Sequence, residues 1–296
     1  MNTRGLLDLL ISRLPGLSIT DKIHLCDCFE CEGDLIKKSK GDIEIILNHA
    51  LEFFWDIDAI QAMAIQDEKL VRVRGLTWVS WAQSEYPPLL REIYDPPVVL
   101  FYRGNLPNPD KPLAGIVGTR RPSPQGAACA YNIARDLGRQ GISVVSGLAL
   151  GIDAMAHRGN LEGGGPTFAI LGCGPDEIYP KANRILAQRI LENGGGLISE
   201  YPPGTSPFKW NFPARNRIIS GISRGVLFVE APQKSGALIT ARFALEHNRD
   251  LWVASAGVME GRYDRRGTVK LAQDGAQIIH SASDILKAWN KELNHD

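Results

Sequence analysis

Five times along this chain a short β-rich run ends in a glycine- or proline-rich turn that opens into a helical pattern. The turns are Gly115–Arg120, Ser146–Asp153, Leu171–Pro175, Ser199–Gly204 and Glu230–Gly236. The runs ahead of them are Ala114–Val117, Ser143–Val145, Thr167–Leu171, Gly225–Val229 and the weaker Gly196–Ser199. Strand, turn and helix repeated in this order build a parallel sheet whose turns all lie at its carboxyl edge. Backbone N–H groups and helix N-termini at that edge favour anions, phosphates above all. Further strands are expected at Asp250–Ala254 and Ala276–Ile279, and a last helix at Ser281–Lys291 with Ser281 or Ser283 as its N-cap.

Charge sharpens that reading. The 296 residues carry 33 Lys/Arg and 33 Asp/Glu, yet residues 1–70 hold 7 against 13 and the remainder is correspondingly basic. Two stretches contain no acid. Lys111–Arg135 holds Lys111, Arg120, Arg121 and Arg135, and Tyr201–Val229 holds Lys209, Arg215, Arg217 and Arg224. A charge run is ordinarily a solvated face. Both of these overlap the sheet-edge turns, so a basic surface for a nucleotide or an anionic polymer is the better reading.

The length allows roughly two domains. Residues 1–70 read as an all-helical domain, with Leu6, Leu7, Leu10 and Leu14 and then Ile43, Ile46, Leu47 and Leu51 at helical spacing, and Leu14–Leu17 as a turn between helices. His24, Cys26, Cys28 and Cys31 fit one helix face poorly and lack a second ligand pair, so ordinary cysteines are preferred to a zinc site. Residues 71–296 form the α/β part. It opens on two short strands, around Trp78 and at Pro96–Tyr102, flanking a helical turn at Leu89–Ile93 and extending the main sheet. No apolar stretch approaches the ~20 residues of a membrane helix. The beginning of the chain, with Asp8 inside its apolar stretch, does not read as a signal peptide. No further domain is expected after Lys291. The odd count of five cysteines points to reduced thiols and a cytoplasmic location.

Each motif has its own chemistry. Gly118 and Thr119 would bring backbone close to a ligand, and Arg120 would grip a phosphate bidentately. Gly147 and Gly151 bracket the second turn. Asp153, in the first turn of its helix, reads as a capping acid and His157 as a structural histidine, rather than as an acid–base pair. Lys181, ahead of a helix, suits a phosphate, and Asn183 would tie its loop by local hydrogen bonds. In Phe212–Arg217 two arginines stand two apart and so face different ways. Arg215 is taken as the ligand-facing one, with Asn216 beside it. Arg217 is taken as the anchor, paired to Glu200 or Glu230. Phe212 is as apt to stack on a base as to pack in a core. Lys209 adds a cation, and Ser235 and Gly236 open the next helix beside Lys234.

The same succession of motifs, continued through Tyr179–Asn183, Phe212–Gly221 and Glu230–Ala241, resembles the DprA/Smf family of DNA-processing proteins from bacterial natural transformation. The resemblance spans about Leu76–Ile279. It implies an extended Rossmann-like, doubly wound, mostly parallel sheet behind a small sterile-alpha-motif-like helical domain. It further implies a homodimeric single-stranded-DNA binder that loads the RecA recombinase and displaces single-strand-binding protein, with no cofactor, no metal and no reaction of its own. Two departures fall in one loop: Ala254–Gly257 where the family has Pro-Gly, and Gly267–Val269 where it has Gly-Thr-Asn or Gly-Ser-Asn. The alternative is a hydrolase of the lysine-decarboxylase-like group that cleaves nucleoside monophosphates. Its paired glycines and helix-opening glutamate are missing from Ala231–Ala237. A dinucleotide oxidoreductase would need a Gly-x-Gly-x-x-Gly turn that Gly115–Gly118 does not supply.

Overall fold

A computed structural model describes residues 6–293, with side chains described to Trp289. Met1–Gly5, the beginning of the segment read as having no signal peptide, and residues 294–296 lie outside the described residues. Among the described residues nine strands form one sheet: β1 Thr77–Ser80, β2 Val99–Gly104, β3 Leu113–Val117, β4 Ser143–Ser146, β5 Thr167–Ile170, β6 Gly196–Ser199, β7 Gly225–Phe228, β8 Asp250–Ala254 and β9 Gln277–Ile279. Their spatial order is β1-β2-β6-β5-β4-β3-β7-β8-β9. From β6 to β9 every pairing is parallel, whereas β1 on β2 and β2 on β6 are antiparallel. The lead-in strands thus extend the main sheet at one edge, as their aromatic and β-branched composition implies.

The parallel strands β3 to β7 are short and entirely buried, with helices on both faces, which is why they read as continuous apolar runs rather than alternating ones. One cluster, including Val117, Phe168, Ile198, Ile218, Ile222 and Phe228, lies under the helices Asn211–Ile222 and Gly236–Glu246. Another, including Ile116, Ile133, Val144, Leu227 and Ile285, lies under Pro124–Arg139 and Ala282–Leu293. The chain winds from β3 outward to β6 and returns with β7 on the other side of β3, so the switch point of this doubly wound sheet lies between β3 and β7. In open α/β sheets the ligand crevice lies outside the carboxyl ends of the two strands at such a switch point.

The first helices are Leu7–Arg13 and Ile19–Cys28, joined across Leu14–Leu17, followed by Glu32–Ile36, Lys40–Leu47 and Ile57–Val73. Ser18 and Ser39 start two of them with reciprocal capping boxes to Asp21 and Asp42. Their core, with Leu10, Leu25, Leu35, Ile43 and Ile60, runs on without a break into Val98, Val99 and Phe101 of the sheet edge. The acidic helical part therefore sits at the antiparallel end, several strands away from the switch point. Among the described residues no helix is long and apolar enough to cross a membrane.

Candidate nucleic-acid interface

At the switch point the turns after β3 and β7, together with the start of the helix Asn211–Ile222, enclose a cleft of about 830 Å³. Arg120, Arg121, Lys209 and Lys234 line it and are exposed, and Arg215 lies beneath them. The acidic residues of the lining are Asp153 and Glu230, both buried, and Asp264, paired with Arg266. The potential over the opening is therefore positive. Focused in a low-dielectric cleft, it raises the local concentration of a polyanion.

The floor is the loop after β4, gripped from three sides. Asp153 Oδ2 accepts from the N–H groups of Gly147 (3.1 Å) and Ala149 (3.4 Å). Asn183 Nδ2 donates to the carbonyls of Leu148 (2.8 Å) and Ala149 (3.2 Å). Leu148 is held at φ +56°, a left-handed conformation that a leucine adopts only under constraint, and Gly151 at +79°. The third grip is Arg215. Its Nη1 donates to the carbonyls of Gly147 (2.9 Å) and Ile170, and its Nε to Asn216 Oδ1 (3.0 Å).

Arg215 is only 4% exposed, so the expected division between a groove-facing Arg215 and an anchoring Arg217 gives way to two anchored arginines. Gly147 has no Cβ because one there would run into that guanidinium. Burial lowers the Arg215 pKa to about 10, against the attraction of Asp153. Burial raises the Asp153 carboxyl, and Arg215 together with the loop N–H groups opposes it. Arg217 donates to both oxygens of Glu200 (2.8 and 2.7 Å) and pairs with Asp95 (2.8 Å). Of its two candidate partners, Glu200 is the one it meets.

Glu230 instead meets Arg265. Its Oε1 accepts from Arg265 Nε (2.8 Å) and Ser123 Oγ (2.6 Å), and its Oε2 from Ser123 N–H (2.8 Å). Ser123 Oγ also caps the helix Pro124–Arg139 by accepting from Gly126 N–H (2.9 Å), where any side chain would collide with the Glu230 carboxylate. Sequence reasoning missed this triad, because Arg265 is 35 residues from Glu230 and carries no local signal. Two further expectations shift. A Cβ on Gly118 would lie 2.7 Å from Ile152 Cγ1 and 2.9 Å from the Glu230 carbonyl, so this glycine serves close packing of the turn on its neighbours. The amides of Thr119, Arg121, Gly147, Ala149 and Ile152 donate within the protein, which shifts the burden of anion binding from these turn amides to side-chain cations.

His157 is fully buried. Thr167 Oγ1 gives its proton to the Val144 carbonyl (2.7 Å), so it can only accept from His157 Nδ1–H (2.8 Å). That leaves Nε2 bare and without a partner, and burial lowers the pKa to about 3. The histidine is structural.

The other expected residues surround the opening. Lys181 begins the short turn Lys181–Asn183 and is exposed, two residues beyond Tyr179, which lines the cleft. Asn183 is buried as a loop tie. Asn216 Nδ2 donates to the Gly236 carbonyl (3.2 Å), and Ser235 Oγ caps its helix from the Ala237 N–H (3.2 Å). Phe212 is half-buried against Tyr179, with ring centroids 5.3 Å apart. Two exposed aromatics just outside, Phe208 and Trp210, were not singled out from sequence, although an aromatic–lysine–aromatic run between Pro207 and Pro213 was there to be seen. Among the described residues no cluster of His, Cys, Asp or Glu could hold a metal ion.

Comparison with known proteins places this geometry. Residues 77–290 match the family described as DNA recombination-mediator protein A. The DNA processing protein DprA of Bacillus subtilis is 40% identical over 266 residues, covering 86% of this chain and 89% of that one. The crystal structure of DprA from Streptococcus pneumoniae superposes with a TM-score of 0.75 at 33% identity, covering 97% of this chain and 98% of the other. DNA processing protein A from Helicobacter pylori, solved for its single-stranded-DNA binding mode, superposes with a TM-score of 0.65 at 31% identity over 74% of this chain and 98% of that one. On the family match, the relatives and the shared fold together, the chain belongs to the DNA recombination-mediator protein A family, the DprA/Smf proteins.

Proposed function

We propose that this protein is a recombination mediator that holds single-stranded DNA across the switch-point cleft. The observation that carries the reading is the cleft itself, where four exposed cations and exposed aromatic edges stand over a rigid floor. Arg120, Arg121, Lys209 and Lys234 contact phosphates there, joined at the rim by Lys181. Arg215 keeps the floor in shape and adds its charge from below. Tyr179 and Phe212 offer ring faces to bases, a mode of binding that tolerates any sequence. The exposed cations Arg120, Arg121, Lys209 and Lys234 all stand on turns rather than along one helix, which favours a flexible single strand over the major groove of duplex.

In this reading the residues to about 70 brace the antiparallel end of the sheet and residues 71–296 carry the DNA. Loading of RecA, displacement of single-strand-binding protein, homodimerisation and a cytoplasmic location complete the proposal. The role is one of binding and hand-over, without a chemical step. The hydrolase alternative needs a glutamate at the opening of the helix after Ala231. That helix, Gly236–Glu246, carries none before its last residue. Support also comes from the Helicobacter pylori relative, whose structure concerns single-stranded-DNA binding.

Fluorescence anisotropy with single strands and duplex across a salt series tests the reading. Single strands should bind tighter, and log K should fall against log[salt] with a slope of about −0.7 per phosphate contact, so roughly −3 to −3.5 for four or five contacts. A flat salt dependence, or release of free base from nucleoside monophosphates, would refute it.

A further inference from the structure

Phe208 and Trp210 stack on one another, with ring centroids 4.9 Å apart and planes within 4°. They remain 46% and 70% exposed. Their support is local and firm. Phe208 N–H donates to the Ser206 carbonyl (2.9 Å), and Asn211 N–H to the Phe208 carbonyl (3.0 Å). Buried Asn211 then fixes the end of the turn by donating to the Gly172 carbonyl at 2.9 Å. Each ring covers one face of the other, and the far side of the indole is left to water. An aromatic side chain gains most of its free energy from removing its faces from water, so a stacked, half-open pair is suited to a third flat ring.

The setting selects that ring. Lys209 lies between the two aromatics in sequence, is exposed and lines the cleft. The whole stretch Tyr201–Val229 is free of acid. On the cleft side Phe212, from the same run, forms a tilted pair with Tyr179, which is 42% exposed. Aromatic pair, lysine, aromatic pair is the pattern that an anionic chain of flat bases fits and an apolar protein surface does not.

The geometry points to the Phe208–Trp210 pair as a base-stacking station for single-stranded DNA outside the cleft, past Lys209, with the indole of Trp210 as the platform. This inference rests on the single-stranded-DNA reading above. A strand leaving the cleft crosses Lys209 with a phosphate and lays the next base on Trp210.

The test uses the full chain with Trp210→Ala and Trp210→Phe, a thymidine oligonucleotide and an abasic oligonucleotide of the same length. Trp210→Ala should weaken the thymidine strand by about 5- to 100-fold, the cost of one lost stack. It should leave the abasic strand, the slope against salt, the melting temperature and the oligomeric state unchanged. Trp210→Phe should restore most of the affinity. Unchanged thymidine binding by Trp210→Ala, an equal loss on both strands, or an altered oligomeric state would each overturn the stacking role. Wild-type protein that binds neither strand would instead remove the DNA reading, and this station with it.

Discussion

The floor of the cleft and its rim are built from the same kinds of residue and behave in opposite ways. On the floor, Arg215, Asp153, Asn183 and His157 are buried, and their polar atoms are almost all turned onto backbone or onto one another. On the rim, Arg120, Lys181, Lys209 and Lys234 are exposed. A buried charge is tolerated only when it is paired and hydrogen-bonded, so the floor arginine acts as structure. An exposed cation contributes little to stability and is left available to a ligand. Residue type therefore says less about role here than burial does. In the proposed function the floor shapes the surface and the rim binds with it.

The sharpest way to break that contrast is Arg215→Ala. It leaves Asp153 buried without its counter-charge and the carbonyls of Gly147 and Ile170 without their donor, and should cost about 3–5 kcal/mol of stability. Thermal or urea unfolding measures this, and a variant that melts like wild type while losing DNA would move Arg215 to the rim.

His157 should make the fold sensitive to acid. Its folded pKa of about 3 lies below its ordinary value of 6.5. The unfolded chain takes up a proton as the pH falls through 6.5 and the folded chain does not. This stability is complete above pH 6.5 and is lost towards pH 3, at about 1.4 kcal/mol per pH unit. Replacing His157 by Asn should flatten the slope of melting temperature against pH in that window. An unaltered slope would show that other groups set the acid limit.

Arg217→Ala should also lower stability, by about 1.5–3 kcal/mol, because its charged hydrogen bonds to Glu200 and Asp95 are partly open to water. The smallest effects belong to the rim. Arg120→Ala or Lys181→Ala should each weaken single-stranded DNA by about 0.5–1.5 kcal/mol and leave the melting temperature alone. Each should also reduce the salt slope by about 0.7, while Arg120→Glu weakens binding further. A drop in melting temperature for either alanine variant would place that residue with the floor.

Much of the fold was legible, and physics says which part. Val, Ile and Leu runs closed by glycine turns locate β3 to β8 within a residue or two, because a strand buried on both faces has to be short and apolar. The acid-free stretches locate the cleft. What stayed hidden is orientation. A two-residue spacing on the helix Asn211–Ile222 says that Arg215 and Arg217 point differently. Only the packed sheet edge reveals that Arg215 meets the loop after β4 and Arg217 meets Asp95 and Glu200. Gly126 and Gly147 were illegible for a related reason: each makes room for a side chain, Glu230 or Arg215, that comes from far along the chain. The domain-like division by charge was readable, but the shared core joining the first helices to Val99 and Phe101 was not, since it depends on which sheet edge those helices cover.

The triple grip on the loop after β4 has a consequence for the order of folding. Leu148 is held in its left-handed conformation by Asn183, 35 residues further on, and Gly147 by Arg215, 68 residues further on. Contacts that far apart along the chain cost more entropy to close than local ones and so tend to form after them. During synthesis the earlier strands can pair while the floor beneath the cleft is still loose, since two of its three clasps have not left the ribosome. The shape of the cleft floor, on which the proposed binding depends, thus arrives at the end of folding.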